Sequence, residues 1–348
     1  MSFISNIKID NESISFDLNN DSKELKTSFA NSLRRTIISD IYTYAIDDKN
    51  IIFYENTSML NNEFLKHRLS LIPIISNLEN INYDNLVISC KKTNNGENME
   101  NVYVSDFICT ENENKIIDNS IIFKYPNILF SKLKNGQLLS FESKITKNNA
   151  YYGGSFFSPV SICLYTFKVD DMIVKDITKE MTEIEKQTFF TQDVERVYKK
   201  NEIGEPYSYQ FKIESIGFYD PQNIFLLGIN SLKDRLNTLK IELRNKKSKK
   251  ISILDNDEHP DFFEFSIDYE NETIGNLLST YITYDPNVFY CGYVIEHPLK
   301  NNIIFKIKLK TNNNIDNSIK TIENMIIYLV SLLDKISDEF INKLTTIE

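Results

Sequence analysis

Glu63, His67 and Arg68 are the side chains of this sequence whose types and spacing come closest to an acid–base site. They occupy positions i, i+4 and i+5 of a predicted helix, so the carboxylate and the imidazole would share one face. Such a pair could transfer a proton, but neither a nucleophile motif nor a glycine-rich phosphate loop accompanies it. We therefore favour a role in helix packing or subunit contact over catalysis.

Two other segments could be mistaken for phosphate-binding sites. Residues 150–155 (Ala-Tyr-Tyr-Gly-Gly-Ser) lack the spacing and the lysine of a phosphate loop, so a flexible loop is the favoured interpretation. The basic run from Lys246 to Lys250 is interpreted as a solvated linker rather than as a nucleic-acid site. Lys and Arg number 39 against 49 Asp and Glu, a formal net charge of −10. Because phosphate backbones attract clustered cations, any contact with nucleic acid is expected to be indirect, through partners.

The four cysteines, at positions 90, 109, 163 and 291, are widely scattered and form no Cys-x-x-Cys pair. This spacing predicts reduced thiols in an intracellular protein, with no metal and no cofactor. The first residues lack the pattern of a signal peptide, and no apolar run reaches membrane-spanning length. A membrane partner is therefore not expected.

The elements that must position these residues follow a repeated plan. Apolar residues alternate over 14–18, the period of a half-buried strand, and then recur at steps of four over 29–41, the period of a helix. The same succession appears over 263–267 and 274–282. The sequence therefore predicts a strand followed by a helix near the start of each half.

Each half also closes in the same way. Phe211 and Ile213 predict a strand, and Asp220-Pro221 predicts the start of a helix whose apolar face runs to Leu239. In the second half, alternation over 305–309 precedes a helical stripe over 315–340. The order strand, helix, strand, helix thus occurs twice, and the two units are expected to bury their apolar helix faces against each other as an intramolecular pseudo-dimer.

The two strand–helix pairs of the first half stand much farther apart than those of the second. We therefore predict an inserted domain of mainly β structure, with one helix near residues 58–70. The polar stretch over 245–258 has no hydrophobic pattern and is predicted to be a linker. The domain bounds are then 1–50 with 166–244, an insert over 51–165, and a second unit over 259–348.

The first half closely resembles a known family. Residues 29–35 (Phe-Ala-Asn-Ser-Leu-Arg-Arg), Asp47 and the run 56–73 are similar to the archaeal D-type subunit and the third subunit of eukaryotic nuclear RNA polymerases. Bacterial alpha subunits carry a similar helix. Residues 132–137 with Ser158-Pro159, and then 209–239, resemble later parts of the same subunits.

The second half resembles the small partner of that subunit, the archaeal L-type or eleventh eukaryotic subunit. The resemblance rests on residues 273–278, 285–288, 291–293 and 297–299, which include Thr-x-Gly-Asn-x-Leu, Asp-Pro-Asn-Val and His-Pro-Leu. Together the two matches touch most of the chain. The order, large partner and then small, is similar to fused subunits of nucleocytoplasmic large DNA viruses.

The resemblance implies an α+β fold of two alpha-like dimerisation units with a mainly β insert in the first. It implies a non-catalytic subunit that docks the two largest RNA polymerase subunits and small adaptor subunits. The implied location is the host cytoplasm and the virion for a viral protein, or otherwise the nucleus. Many D-type subunits carry a metal-binding cysteine cluster in the insert, and this sequence departs from that pattern.

The resemblance also implies a set of subunit-contact residues. The guanidinium groups of Arg34 and Arg35 are expected to pair with the second-largest subunit. Asn31 and Asn276 fall at corresponding places in the repeated helices and are expected to bond neighbouring backbone. The full predicted set is Asn31, Leu33, Arg34, Arg35, Glu63, His67, Arg68, Ile72, Pro73, Gly275, Asn276, Leu278, His297 and Pro298.

Two alternatives stay open at this point. The first is a stand-alone intracellular α+β enzyme that uses Glu63 and His67, and it predicts that His67→Ala abolishes activity while assembly survives. The second is a factor that binds the polymerase reversibly. Presence of the chain in salt-washed polymerase would argue against the second.

Overall fold

The computed structural model describes residues 2–19, 24–75, 83–111, 115–245, 248–254, 261–297 and 299–347. The strands are β1 (Ile4–Ile9), β2 (Ser13–Asn19), β3 (Thr43–Asn56), β4 (Leu86–Thr93), β5 (Glu100–Tyr103), β6 (Ile108–Glu111), β7 (Lys115–Ile117), β8 (Leu129–Leu133), β9 (Leu138–Asn148), β10 (Val160–Phe167), β11 (Ser208–Ser215), β12 (Ile251–Leu254), β13 (Phe263–Asp268), β14 (Val288–Val294) and β15 (Asn302–Leu309). The helices are α1 (Thr27–Ser39), α2 (Asn62–Ser70), α3 (Asn119–Ile122), α4 (Ala150–Gly153), α5 (Asp171–Thr178), α6 (Glu183–Gln192), α7 (Pro221–Arg244), α8 (Glu272–Ile282) and α9 (Ile315–Ile347). Among the described residues, every helix is too short or too polar to cross a membrane.

The first half is a four-stranded antiparallel sheet in the order β1-β2-β11-β10, with α1 and α7 packed against it. Alternation in β2 places Ile14, Phe16 and Leu18 on the inner face, where each is at most 1% exposed. Pro221 begins α7, as predicted, since its ring fixes a helical φ and the missing N–H is not needed there. The predicted strand and helix pairs of this half are confirmed.

The second half repeats the arrangement with a sheet in the order β12-β13-β15-β14, covered by α8 and α9. The predicted elements over 263–267, 274–282, 305–309 and 315–340 are confirmed. Two edge strands were not predicted from periodicity. One of them, β12, lies within the predicted linker 245–258. Its four residues form a strand because they pair with the backbone of β13. The rest of that linker lies partly outside the described residues.

The insert has a hydrophobic core of its own, closed by the five-stranded sheet β3-β9-β4-β6-β7, the two-stranded sheet β5-β8 and α2. Its centre is aromatic: Phe107 meets Phe123, Phe130 and Phe141 edge to face, with ring centroids 5.2–6.0 Å apart. The mainly β character of the insert and its single longer helix are as predicted.

The predicted insert bounds, 51–165, need correction. Thr43–Ile46 already pair with Ile145–Asn148, so the insert sheet begins eight residues earlier than predicted and closes before β10. At the other end, β10 pairs with β11 and contributes Cys163 to the core of the first half. Strands β3 and β10 each continue across a predicted domain limit, at residues 51 and 165, because their backbone hydrogen bonds continue there. The alternation of apolar residues does not show where one domain ends.

The two halves share one hydrophobic core, and α7 and α9 pack together inside it. Phe16 of the first sheet, Phe225 of α7 and Phe340 of α9 form an aromatic triangle with centroids 4.6–5.5 Å apart. Complete burial of each such side chain stabilises the fold by about 1.5–3 kcal/mol. Because Phe340 comes from the second half, these contacts join the halves. The predicted intramolecular pseudo-dimer is confirmed.

Candidate interface between the two halves

In the described part of the chain, the crossing of α1 and α8 is one of the two main helix–helix contacts between the halves, beside that of α7 and α9. Ser32 donates to the carbonyl of Ser28 (2.7 Å) and lies 3.2 Å from the carbonyl of Thr273 across the interface. Arg35 donates through Nε to Thr273 Oγ1 (2.8 Å), and its Nη1 is 3.4 Å from a carboxylate oxygen of Glu272. The first turn of α8 is therefore held by side chains of α1.

A buried ionic network centred on Arg235 ties α7 to both ends of this crossing. Its Nη1 lies 2.6 Å from Asp40, which caps the end of α1, and its Nη2 lies 2.6 Å from Glu270, just before α8. The two carboxyl-bearing residues are only 8% and 4% exposed. Burial acts to lower the pKa of Arg235, but the two carboxylates outweigh it and raise the pKa. Lys250 also pairs with Glu270, at 3.1 Å.

Two glycines allow the closest helix contacts. A Cβ on Gly228 of α7 would lie 2.4 Å from Cγ1 of Ile37, which is fully buried on α1. A Cβ on Gly275 of α8 would lie 2.8 Å from Cγ and Cδ2 of Tyr293 on β14. Real Cβ atoms do not approach carbons this closely, so any side chain would push these elements apart.

The start of the described chain is held by α9. The Glu339 carboxylate accepts hydrogen bonds from Ser2 Oγ (2.5 Å) and from the backbone N–H groups of Phe3 (2.7 Å) and Ile4 (3.3 Å). Lys343 pairs with the same carboxylate at 2.7 Å. Burial opposes its ionisation, but these donors outweigh burial and lower the pKa of Glu339 to about 2. The contact adds a second polar link between the halves, made by hydrogen bonds to a carboxylate.

Lys26, just before α1, joins both halves by another set of polar contacts. Its backbone N–H donates to the hydroxyl of Tyr281 on α8 (3.2 Å), which in turn donates to the carbonyl of Glu24. Its ammonium lies 2.8 Å from Glu205 and 3.9 Å from the ring centroid of Tyr284. Burial acts to lower the pKa of Lys26, but the hydrogen bonds that its ammonium donates to Glu205 and Tyr284 outweigh burial and raise the pKa.

The structure separates the predicted residues of α1 into different roles. Arg34 is half-buried and is braced within its own helix by Asn31 Oδ1, at 3.1 Å from Nε and 2.9 Å from Nη2. Arg35 is engaged across the halves, as described above. Leu33 is completely buried in the joint core, so it cannot contact another subunit. The prediction for Leu33 is therefore wrong in that respect, because the apolar face of α1 is used internally.

The same correction applies to α8. Leu278 is 1% exposed and belongs to the joint core, and Gly275 is buried beneath Tyr293. Asn276 is half-buried, and its Oδ1 accepts from Thr280 Oγ1 (3.3 Å) rather than binding backbone. Asn31 likewise binds a side chain, so the expected backbone bonds of both asparagines are absent from the described contacts.

The predicted residues of the insert do not converge on one site. Glu63 and His67 are exposed on α2, and the described residues offer neither of them a hydrogen bond or an ion pair. Arg68 donates to the carbonyls of Leu129 (2.7 Å) and Phe130 (3.2 Å) and so fixes α2 to β8.

The remaining predicted residues lie after α2 and in a turn of the second half. Ile72 is 5% exposed in the insert core and so has little surface for the predicted subunit contact, whereas Pro73 is half-buried. His297 is exposed and accepts from the backbone N–H of Leu299 through Nδ1 (3.1 Å), the geometry of a turn residue. Pro298 lies outside the described residues.

A cavity of about 470 Å³ opens where the first half, the insert and the second half meet. Arg235, Asp40 and Glu270 form part of its wall, and the rim carries exposed aromatic side chains. These are Tyr42, Tyr151, Tyr152 and Tyr269, which are 40–65% exposed. Tyrosine and arginine are the residue types most enriched at protein interfaces.

The cysteines of this chain do not fit the metal site that many D-type subunits carry. Cys90 and Cys109 are buried in the insert core, and Cys163 is buried in the core of the first half. Burial raises the pKa of all three thiols to about 12, which disfavours the thiolates that bind metals. The described ranges contain no group of three or more His, Cys, Asp or Glu residues that could hold a metal ion.

Several residues of the interface were missed by sequence reasoning. Arg235 lies beside the apolar face that Leu232 and Leu236 form on α7. A cation next to such a face was the one local indication of a buried ion pair. Nothing local marks Asp40 or Glu270 as the counterparts of Arg235 in the interface. Their partners stand many positions away in the chain, and only the packed helices bring them together.

The fold and this interface define a class of protein: an α+β chain built from two dimerisation units that close on each other. An RNA polymerase Rpb3/Rpb11 dimerisation domain matches residues 21–236, and a second domain of the same description matches residues 263–339. The chain therefore belongs to the RNA polymerase Rpb3/Rpb11 dimerisation domain family.

The chain is also similar to curated proteins. It is 32% identical to DNA-directed RNA polymerase subunit Rpo3 of Pyrococcus furiosus over 126 residues, 35% of this chain and 44% of that protein. It is 34% identical to the Rpo3 subunit of Thermococcus kodakarensis over 33% of this chain and 42% of that protein. It is 23% identical to DNA-directed RNA polymerase II subunit rpb3 of Dictyostelium discoideum over 66% of this chain and 91% of that protein. The chain thus spans less than half the length of the two archaeal relatives.

Proposed function

We propose that this chain is a non-catalytic subunit on which a DNA-dependent RNA polymerase assembles. The observation that carries the proposal is the single core that both dimerisation units fill. Two separate partners must meet by diffusion, whereas tethered units meet at a high effective concentration. A chain of this kind would offer the other subunits a finished two-fold platform from the start of assembly.

The proposed partners are the two largest polymerase subunits and small adaptor subunits. Two features support this choice. Arg34 presents a guanidinium that Asn31 already holds in place, so little side-chain entropy is lost when a carboxylate or carbonyl binds it. The tyrosine-rimmed cavity offers a second concave surface with the composition of a binding hot spot. Contact with nucleic acid would be through the assembled enzyme, since this chain is acidic.

We further propose that the chain is a natural fusion of a third-type and an eleventh-type subunit, of the kind found in nucleocytoplasmic large DNA viruses. Such a protein would act in the host cytoplasm and be packaged in the virion, whereas a cellular protein would act in the nucleus. Mass spectrometry of purified virions and infected-cell fractions would test the location. Detection in nuclei alone would contradict the viral proposal.

The central test is co-purification. The tagged chain, expressed in its native source, should retain both large polymerase subunits after a high-salt wash, as identified by mass spectrometry. Arg34→Ala should reduce this retention while the circular dichroism spectrum stays unchanged. Arg196→Ala is the matched control, because that arginine is 80% exposed and pairs with Asp193, three positions before it in the chain.

Each other outcome has a defined meaning. Loss of both large subunits in the high-salt wash would refute the platform and leave a reversible factor. Equal loss for Arg34→Ala and Arg196→Ala would refute the role of Arg34. Nucleotide incorporation by the isolated chain, abolished by His67→Ala, would refute the non-catalytic assignment.

A further inference from the structure

Two short helices between β10 and β11 are scarcely packed against the rest of the protein. In α5 only Val174 is buried, and in α6 only Phe189 is buried. Their ends are fixed by local caps instead: Asp170 accepts from the backbone N–H groups of Met172 and Ile173, and Thr182 forms a capping box with Glu185. Helices of 8 and 10 residues are marginal without tertiary packing. We call residues 171–192 the α5–α6 surface.

Large apolar side chains on this surface face solvent. Met172 and Ile184 are each 78% exposed, and Phe190 is 53% exposed. Ile173 and Ile177 follow at 47% and 39%. Single exposed apolar residues are ordinary, but these five lie within residues 172–190, and Ile173 and Ile177 are one helical turn apart on α5. This local excess of exposed apolar side chains indicates a binding surface.

The charge around these side chains restricts what can cover them. Residues 170–196 contain eight carboxylates and four basic side chains, a formal net charge of −4. Two of the four cations, Lys186 and Arg196, are already paired with neighbouring acids, Glu183 and Asp193. The field therefore repels nucleic acid and anionic lipid, and a second copy of this chain, with its net charge of −10, is disfavoured for the same reason. A cationic partner is attracted.

We propose that the α5–α6 surface binds a basic, amphipathic segment of a partner protein. Apolar side chains of the segment would cover Met172, Ile184 and Phe190, and its lysines or arginines would face the surrounding carboxylates. Binding would supply the tertiary packing that α5 and α6 lack. The inference stands apart from the platform proposal, because it rests on the packing and charge of these helices alone.

The test uses the full chain and a defined probe. The probe is a fluorescein-labelled amphipathic peptide of leucine and lysine, about four helical turns long, and its counterpart carries glutamate in place of lysine. Fluorescence anisotropy should show binding of the lysine peptide only, with affinity falling as salt rises. Hydrogen exchange should show new protection of the amides of α5 and α6 when the peptide is bound.

Variants then locate the site. Met172→Ser combined with Ile184→Ser should weaken binding about tenfold or more, because both side chains would lose burial against the peptide. The matched control is Ile116→Ser in the insert, which is 76% exposed and should leave the affinity within about twofold. Asp176→Lys with Glu180→Lys should abolish binding and, with it, the salt dependence.

Unchanged affinity in the Met172/Ile184 variant, an equal loss in Ile116→Ser, or equal binding of the glutamate peptide would each overturn the inference. So would protection confined to residues outside α5 and α6. Failure of the chain to retain large polymerase subunits, with peptide binding intact, would refute only the platform proposal. Retention without peptide binding would refute only the present one.

Discussion

Removal of the Arg235 guanidinium should cause a large loss of stability. Arg235→Met keeps much of the side-chain volume but leaves Asp40 and Glu270, 8% and 4% exposed, without their common partner. At an effective dielectric constant of about 20, unit charges about 4 Å apart attract by about 4 kcal/mol, and part of this is offset by desolvation. Breaking a buried ion pair on one side typically costs about 3–5 kcal/mol, because the remaining charge stays buried.

Related variants separate charge from geometry. Arg235→Lys keeps the cation but loses the fork that reaches Asp40 and Glu270 together, so a smaller cost of about 1–3 kcal/mol is expected. Adding Asp40→Asn and Glu270→Gln to Arg235→Met should recover about half of the loss, because the orphaned charge of Asp40 is removed together with that of Glu270, which keeps Lys250 as a partner at 3.1 Å.

The free energy of unfolding would be measured in urea by far-ultraviolet circular dichroism, since guanidinium salt would screen the network. Arg196→Met is the control: that side chain is 80% exposed and should change the stability by less than about 0.5 kcal/mol. A cost below about 1 kcal/mol for Arg235→Met would refute the assigned role of the network. So would a triple variant no more stable than the single one.

Three further outcomes follow from the interface and its edges. Gly228→Ala should lower the free energy of unfolding by about 1–3 kcal/mol, because the new Cβ would lie 2.4 Å from Ile37 Cγ1. Glu339→Gln should reduce stability at pH 7. The stabilisation by the Glu339 carboxylate is fully present above its unfolded pKa of about 4.3 and is lost as pH falls toward the folded pKa of about 2, so the difference from the natural chain should shrink over that range. Phe289→Lys should reduce self-association of the isolated chain in light scattering, because β14 (Val-Phe-Tyr-Cys-Gly-Tyr-Val) is an edge strand with no charge or proline to protect it.

Each of these outcomes has its own check. Adding Ile37→Ala to Gly228→Ala should make the combined loss smaller than the sum of the two single losses, and strict additivity would contradict the contact. A constant difference between Glu339→Gln and the natural chain from pH 7 to about 2 would contradict the linkage. For β14, Ile52→Lys on the outside of the insert sheet is the control, and an equal fall in scattering would show that net charge alone is responsible.

Much of the fold could be predicted from the sequence because its signals are local. The apolar stripe of α9 and the alternation of β2 reflect periods of 3.6 and 2 residues that a single element imposes on its own sequence. The repetition of the plan predicted the pseudo-dimer. Strand β12 was not predicted because its four residues, none of them buried, carry too little hydrophobic pattern, and their strand character depends on pairing with β13.

The candidate site was less predictable. Arg34 and Arg35 were treated alike, since adjacent arginines on one helix look the same in sequence. The structure engages Arg35 with Thr273 and Glu272 across the halves, and braces Arg34 with Asn31 of its own helix. Consecutive residues of a helix point about 100° apart around its axis, so Arg35 faces α8 and Arg34 does not.

By itself, the sequence determined the kinds of element, their repeated order and the apolar faces that must be buried, because these depend on residue type and period. Only the tertiary structure decided which charged and polar groups meet. Arg235 reaches Asp40 across 195 positions and Glu270 across 35, and Glu339 reaches Ser2 across 337. Such pairs produce no periodic pattern in the sequence. Each depends on the packing angle and register of the helices, and many different sequences could form the same apolar helix faces.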